Sequence, residues 1–339
     1  MTSADTARSP MYAGTPVPPV LAGAVPLAHV ERDGEVESVH LGVLASVATG
    51  AQHHDRPLPV RGDPDIPFLP RSALKPLQAV AMLRAGLDLD GELLALACAS
   101  HSGEPDHVTG VRRILDGAGL TDADLGNTPD LPLGIEAGAA ARAAGVPPAP
   151  VLQNCSGKHA AMLATCVAAG WPIRGYRDPQ HPLQQLIRAT VADLTGVDPH
   201  VTTVDGCGAP LFGCTPAGLA RGFGRIAVAA PGTPEGRIAT AIRTHPWWVG
   251  GTDRPVTRLA QAVPGLVVKD GAEGVLAAAL PDGRAFAVTV LDGSARPLPV
   301  LAAAILAGWG VGGPALAAAG RVDVLGHGQP VGRVHAVLA

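Results

Sequence analysis

Strand-like and helix-like segments do not alternate along this chain, and that limits its fold more than any other feature. Strand text lies near the start, at Ala28–Val30 and Ser38–Val47, and in the C-terminal half, at Gly265–Lys269, Arg284–Leu291 and Gly332–Leu338. Helical spacing runs through Arg71–Leu87, His107–Ala118, Gly134–Ala144, the later part of Asn154–Gly170, His181–Leu194, Ile238–Val249 and Arg258–Val263. Glu92–Ala99 and Gly274–Leu280 are apolar runs whose period does not decide between helix and strand. This order favours an α+β fold over a doubly wound sheet. Pro57 to Pro70 reads as loop, residues 1 to 24 as a flexible tail, and Pro76 as tolerable only in the first turn of its helix.

Composition excludes several function classes. The net charge is −4 with no basic block, so no nucleic-acid partner is expected. With 47% hydrophobic residues the chain is too apolar to be disordered. Five cysteines, an odd number in a long chain, argue against a disulfide framework. The N-terminus lacks a basic region ahead of an apolar stretch, so no signal peptide is expected. Pro297 to Gly320 carries no charge, but glycines and Pro314 interrupt it. Two short helices around a loop are expected there, not a membrane span. The expected location is cytoplasmic.

Lys plus Arg totals 25, and only three of these residues are Lys: Lys75, Lys158 and Lys269. A GC-rich genome explains the scarcity. It also makes the survivors informative, because Arg cannot act as a neutral amine and a desolvated Lys can.

Four stretches hold groups that could do chemistry. Ser72-Ala-Leu-Lys75 opens a helix, so the hydroxyl and the amine share a face, and the amine could take the hydroxyl proton. An N-capping serine beside a solvated lysine is the plainer reading of that pattern. Lys269-Asp-Gly271 ends a strand. Serine β-lactamase-like enzymes combine Ser-x-x-Lys with a Lys-Thr-Gly strand, but no Lys-Thr-Gly or Ser-Asp-Asn occurs here. Asn154-Cys-Ser-Gly-Lys-His159 is not a P-loop. Its Cys155, Lys158 and His159, with Cys207 of Asp205-Gly-Cys207, could ligate zinc or be buried structural groups. Cys98-Ala-Ser100-His-Ser-Gly-Glu104 is a polar cluster after an apolar run, where turn capping is the commoner role.

Taken in order, Arg71-Ser-Ala-Leu-Lys-Pro76, Cys98-Ala-Ser-His-Ser102, Asn154-Cys-Ser-Gly-Lys-His159, Asp205-Gly-Cys207 and Lys269-Asp-Gly-Ala-Glu-Gly274 resemble the bacterial L-asparaginase II family of the inducible rhizobial type. The resemblance runs from about His29 to the C-terminus, and Asn-Cys-Ser-Gly-Lys-His is its specific part. It implies a serine β-lactamase/glutaminase-like fold, an antiparallel sheet flanked by helices plus a helical region, in a single catalytic domain over 25–339. It implies hydrolysis of L-asparagine to aspartate and ammonia by a homodimer. It implies the Ser–Lys pairs Ser72 with Lys75 and Ser100 with Lys269. Zinc would be held by Cys155, Lys158 and Cys207. Arg71, His159 and Asp205 are weaker expectations for binding substrate. All three lysines fall on functional positions of the family. Asp270 after Lys269, and Pro255 after Arg254, depart from the family pattern and leave Asn against Gln preference open. A glutaminase or other β-lactamase-like serine amidohydrolase, and a non-enzymatic zinc-binding protein on the same scaffold, are the alternatives.

Overall fold

The computed structural model describes residues 19–50 and 58–338. Most of the expected tail, residues 1–18, lies outside the described residues, as does Pro57. A short helix α1 (Pro19–Ala22) leads into β1 (Val25–Arg32) and β2 (Glu35–Ala48). Then come α2 (Lys75–Arg84), α3 (Gly91–Ala97), α4 (Pro105–Gly117), α5 (Ile135–Ala143), α6 (Ser156–Ala168) and α7 (Pro182–Thr195). A hairpin of β3 (Thr202–Val204) and β4 (Pro210–Phe212) precedes α8 (Pro216–Val228), α9 (Pro234–Thr244), α10 (Pro246–Gly250) and α11 (Pro255–Ala262). The chain closes with β5 (Val267–Gly271), β6 (Val275–Ala279), β7 (Arg284–Val290), α12 (Leu298–Gly308), α13 (Pro314–Ala319), β8 (Asp323–Gly326) and β9 (Gln329–Ala336).

The fold is α+β. Seven strands form one antiparallel sheet in the order β5-β6-β7-β2-β1-β9-β8, so strands from both ends of the chain meet at the β1–β9 pair. Period two divides the strands between two cores. Val268, Leu276, Ala278, Phe286 and Val288 point to one side, packing with Leu301 and Ile305 of α12 and Leu259 of α11. Val267, Val275, Ala277, Ala279, Ala285 and Ala287 point to the other, toward the helical region. Lys269 lies two residues from Val267 and shares that second face, with Ala277 and Ala287 beside it in register. This row of alanines lets α8 pack close on the sheet, while its Gly222 faces Leu77 of α2 and its Gly224 faces Thr49 and Gly283 at the sheet's end. No helix among the described residues is long and apolar enough to cross a membrane.

Several elements differ from the sequence reading. The undecided Glu92–Ala99 run is α3, and Gly274–Leu280 holds β6. The expected helix over Ile238–Val249 breaks at His245 and Pro246 into α9 and α10, because proline removes a donor and clashes with the preceding turn. Pro76 is at the second position of α2, in the first turn. Pro297–Gly320 forms two short helices around a loop. The hairpin β3–β4, the strand β8 and the helix α8 carry no strong signal. In α8 three glycines lower the helix propensity, and packing overrides it.

Two glycines fix where the site can form. A Cβ on Gly271, at the end of β5, would stand 2.5 Å from the Pro70 carbonyl oxygen, so glycine lets the strand abut the turn that carries Ser72. A Cβ on Gly157 would stand 2.5 Å from the Leu96 oxygen, so glycine lets α6 start against the end of α3, just before Ser100. Gly271→Ala is expected to destabilise the fold by about 1–3 kcal/mol, read as a lower urea midpoint. An unchanged midpoint would show that the approach is not tight.

Candidate active site

A tight 3-10 turn, Arg71–Leu74, runs directly into α2. Arg71 adopts a left-handed φ of 52°, uncommon for a residue with a side chain, and the strain falls beside Ser72. Ser72 is half-buried, whereas Lys75, one turn on, is 1% exposed. The Lys75 Nζ donates to the Ala99 carbonyl and lies 3.1 Å from both Ser100 Oγ and Cys155 Sγ, within hydrogen-bond reach of each. The structure thus brings Lys75 to Ser100. Among the described residues neither Ser72 with Lys75 nor Ser100 with Lys269 forms a hydrogen bond.

Ser100 follows α3, held where its N–H bonds to the Val249 carbonyl and that of His101 to the Asn154 carbonyl. These bonds tie three segments together at one point. His101 is fully buried. Gly103 N–H donates to its Nδ1, so the proton is on Nε2, which donates to Ser156 Oγ at 2.9 Å, and Ser156 donates to the Val151 carbonyl. Burial, with the nearby cationic groups, holds His101 well below the usual imidazole range. It stacks on His107, which stacks on Trp247.

The thiols form the second part. Cys155 precedes α6, and Cys207 sits in the β3–β4 loop. A hydrogen bond to Cys207 and burial push the Cys155 thiol up. That same hydrogen bond and the Lys158 charge hold Cys207 far below the ordinary thiol range. Cys155 Sγ itself donates to Asn154 Oδ1 at 2.9 Å and packs beside Cys207. Lys158 Nζ is 3.2 Å from Cys207 Sγ, and although burial opposes its charge, the two sulfurs hold it up as an ammonium. His159 is fully buried beside Cys207. Its Nδ1 is hydrogen-bonded to the Tyr176 hydroxyl at 2.7 Å, and that oxygen also accepts from Gly126 N–H. Burial lowers His159 to about 4. His159 thus lies behind the thiols. The cysteines outside this pair, Cys98, Cys166 and Cys214, are free, and burial raises all three.

Two thiolates and an amine suit zinc, a borderline-soft ion. Cys155 and Cys207 pack in one buried cluster and Lys158 touches Cys207, so the donor set fits the ion. Binding would displace the protons now on Cys155 and Lys158.

Lys269 is fully buried, and burial lowers it to about 8, against the pull of Asp270. Its Nζ donates to the Asp270 carbonyl at 2.6 Å and to the Asp270 carboxylate. Arg254 bonds the other carboxylate oxygen at 3.1 Å. Burial opposes ionisation of Asp270, but the two cations hold it well below the usual carboxylate range. Nearer the surface, Arg71 Nε donates to Asp205 Oδ1 at 2.7 Å, pinning the Cys207 loop to the Ser72 turn.

The sequence reading missed Asn127, Gln153, Tyr176 and Arg254. Asn127 donates to Gln153 Oε1, which also accepts from the Cys155 N–H. Tyr176 is one of two tyrosines in the chain, so the scarcity argument applied to lysine would have singled it out.

An antiparallel sheet with helices on both faces encloses a buried set of amines, hydroxyls and thiols. The sequence profile of L-asparaginase II matches residues 28–336, and the chain belongs to that family. No curated protein matches it. Among solved structures it is similar to a β-lactamase from Mycobacterium bovis, with 16% identity, a TM-score of 0.42, and coverage of 86% of this chain and 96% of that one. It is also similar to EstCE1, described as a hydrolase with promiscuous acyltransferase activity, with 12% identity, a TM-score of 0.39, and coverage of 84% and 93%.

Between about pH 8 and 10.4 the unfolded chain holds a proton that folded Lys269 has lost. Stability therefore rises with pH in that window, by up to about 1.4 kcal/mol per unit. Lys269→Met is expected to flatten this slope in chemical unfolding. Equal slopes in the two proteins would mean that Lys269 titrates normally.

Proposed function

We propose that the chain hydrolyses the side-chain amide of L-asparagine to L-aspartate and ammonia through an acyl-enzyme on Ser72. The supporting observation is the buried Lys75 amine, within hydrogen-bond reach of Ser100 and one turn from Ser72. Ser72 is the more exposed of the two hydroxyls and is the one a substrate can reach. Hydrogen bonds of this kind tighten when substrate binds, so a long Ser72–Lys75 separation in the free protein does not exclude the pair.

In this reading Lys75, acting through a free electron pair, takes the Ser72 proton as Oγ bonds to the amide carbon. The proton passes to the departing nitrogen, the C–N bond breaks and ammonia leaves. Water then attacks the ester, gives a proton to Lys75, and the carboxylate departs as Ser72 recovers its proton. Backbone N–H groups near Ser72 hold the oxyanion. Ser100 gives the Lys75 proton a second place to go, and Lys269 holds positive charge near the reacting group. The paired Arg71 and Asp205 offer one charge of each sign, matching the carboxylate and ammonium of a free amino acid. Cys155, Lys158 and Cys207 would hold zinc, which when bound supplies positive charge that orients the site. His159 and Tyr176 brace the Cys207 side. A homodimer and a cytoplasmic location belong to the same reading.

L-glutamine is the alternative substrate. One methylene separates the two, which limits discrimination to roughly 10–200-fold. Ammonia release from both amides, with and without zinc, tests the reading. Ser72→Ala is expected to lower kcat by about 10⁴-fold or more, and Lys75→Arg by about 10²–10⁴-fold. Normal turnover in Lys75→Arg would contradict a base at that position. Zinc binding without hydrolysis of any amide would favour a metal-binding protein on this scaffold.

A further inference from the structure

A second cluster of metal-ligating side chains lies on the sheet, outside the site described above. His29 of β1 and His335 of β9 are direct partners across the antiparallel ladder, and Glu31 is two residues further along β1. Period two therefore places all three on one side. Ala28 and Val30, the neighbours that point the other way, are fully buried in the α12 core. His29, Glu31 and His335 are half-buried.

One ligand atom from each residue lies within 4.8 Å of the others. His335 Nε2 is 3.2 Å from Glu31 Oε2. That nitrogen is fully buried, yet it makes no hydrogen bond of acceptable geometry. The two imidazoles stack with centroids 5.1 Å apart and planes 18° from parallel. Nitrogen and oxygen ligands of one zinc ion, each about 2.0–2.2 Å from it, stand about 3.4 Å apart at tetrahedral angles. The His335–Glu31 spacing is close to that figure, and a His29 ring nitrogen lies within 4.8 Å of both. Arg333, opposite Glu31 in register, makes no ion pair with it among the described residues.

We propose that His29, Glu31 and His335 bind a divalent transition-metal ion of the zinc class, with a fourth position open to water. Two imidazoles and one carboxylate suit zinc, cobalt or nickel. The site is four strand steps from the β5 strand of Lys269, about 19 Å. It stands whether or not the amidohydrolase reading holds. Its consequence is mechanical: the ion clips the first strand of the sheet to the last, and so joins the two ends of the fold.

Cobalt(II) titration of the full chain, followed by visible and near-ultraviolet absorption and by equilibrium dialysis, tests this. A thiolate site produces strong sulfur-to-metal charge transfer in the near ultraviolet. A site of two imidazoles and a carboxylate shows only weak visible bands. The wild type is expected to bind one equivalent of cobalt with visible bands alone. His335→Ala and Glu31→Gln are each expected to weaken that equivalent at least about tenfold, the loss that even outer partners of ligands cause. Any sulfur band and any amide hydrolysis should be unchanged. Near-ultraviolet circular dichroism verifies folding, and Glu31→Gln preserves the shape of the patch should His335→Ala unfold. Unaltered cobalt affinity and stoichiometry in the folded variants would overturn the proposal. So would a wild-type titration with no component free of sulfur charge transfer.

Discussion

Three amines buried in one interior are the constraint around which the rest of this structure is arranged. Lys75, Lys158 and Lys269 are each at most 1% exposed. Removing an ammonium from water costs several kcal/mol unless partners replace the water. The fold supplies a different partner set for each. Lys75 has a carbonyl, a hydroxyl and a sulfur. Lys158 has the Cys207 thiolate. Lys269 has the Asp270 carboxylate, steadied by Arg254. Each set comes from a different part of the chain, so the three amines are satisfied only when α2, α3, α6, the β3–β4 loop and β5 are all in place.

That requirement explains the small residues around the site. Gly157 lets α6 reach the end of α3, and Gly271 lets β5 reach the Ser72 turn. The alanine row of the sheet lets α8 lie close. Bulkier side chains at these positions would separate elements that must share hydrogen bonds. The charge arrangement follows from the same geometry. Cys155 and the Lys158 charge hold the Cys207 thiol far below its ordinary range, and, against burial, Lys269 and Arg254 do the same for the Asp270 carboxyl. The interior is rich in groups that hold or release protons, and it carries its own counter-charges.

Much of the site could be read from the sequence, because base composition had already removed lysine elsewhere. The Asn-Cys-Ser-Gly-Lys-His stretch and Asp-Gly-Cys lie side by side in the fold, a grouping that only the family resemblance implied and that their own spacing left open. The partner of Lys75 could not be read. Spacing on a helix points to Ser72, but tertiary packing delivers Ser100 from another segment. Asp270 looked out of place beside Lys269 and is its main counter-charge. On the fold, non-alternating strands and helices gave the α+β class, since period is a local property. The helix α8 was invisible because its glycines lower local propensity and matter only in tertiary contact, Gly222 with Leu77 and Gly224 with Thr49. Several helices open on a proline, as α4, α8 and α11 do at Pro105, Pro216 and Pro255, where the missing N–H costs nothing.

The central claim is that the strained turn at Arg71 presents Ser72 as the attacking hydroxyl while Lys75 holds the proton beside Ser100. Rapid acid quench during turnover of a slowly deacylating ester of aspartate, followed by peptide mass mapping, tests it most directly. The account predicts an acyl group on the peptide that begins at Ser72, absent in Ser72→Ala and still present in Ser100→Ala. An acyl group on Ser100, or none on either serine while product forms, would contradict it.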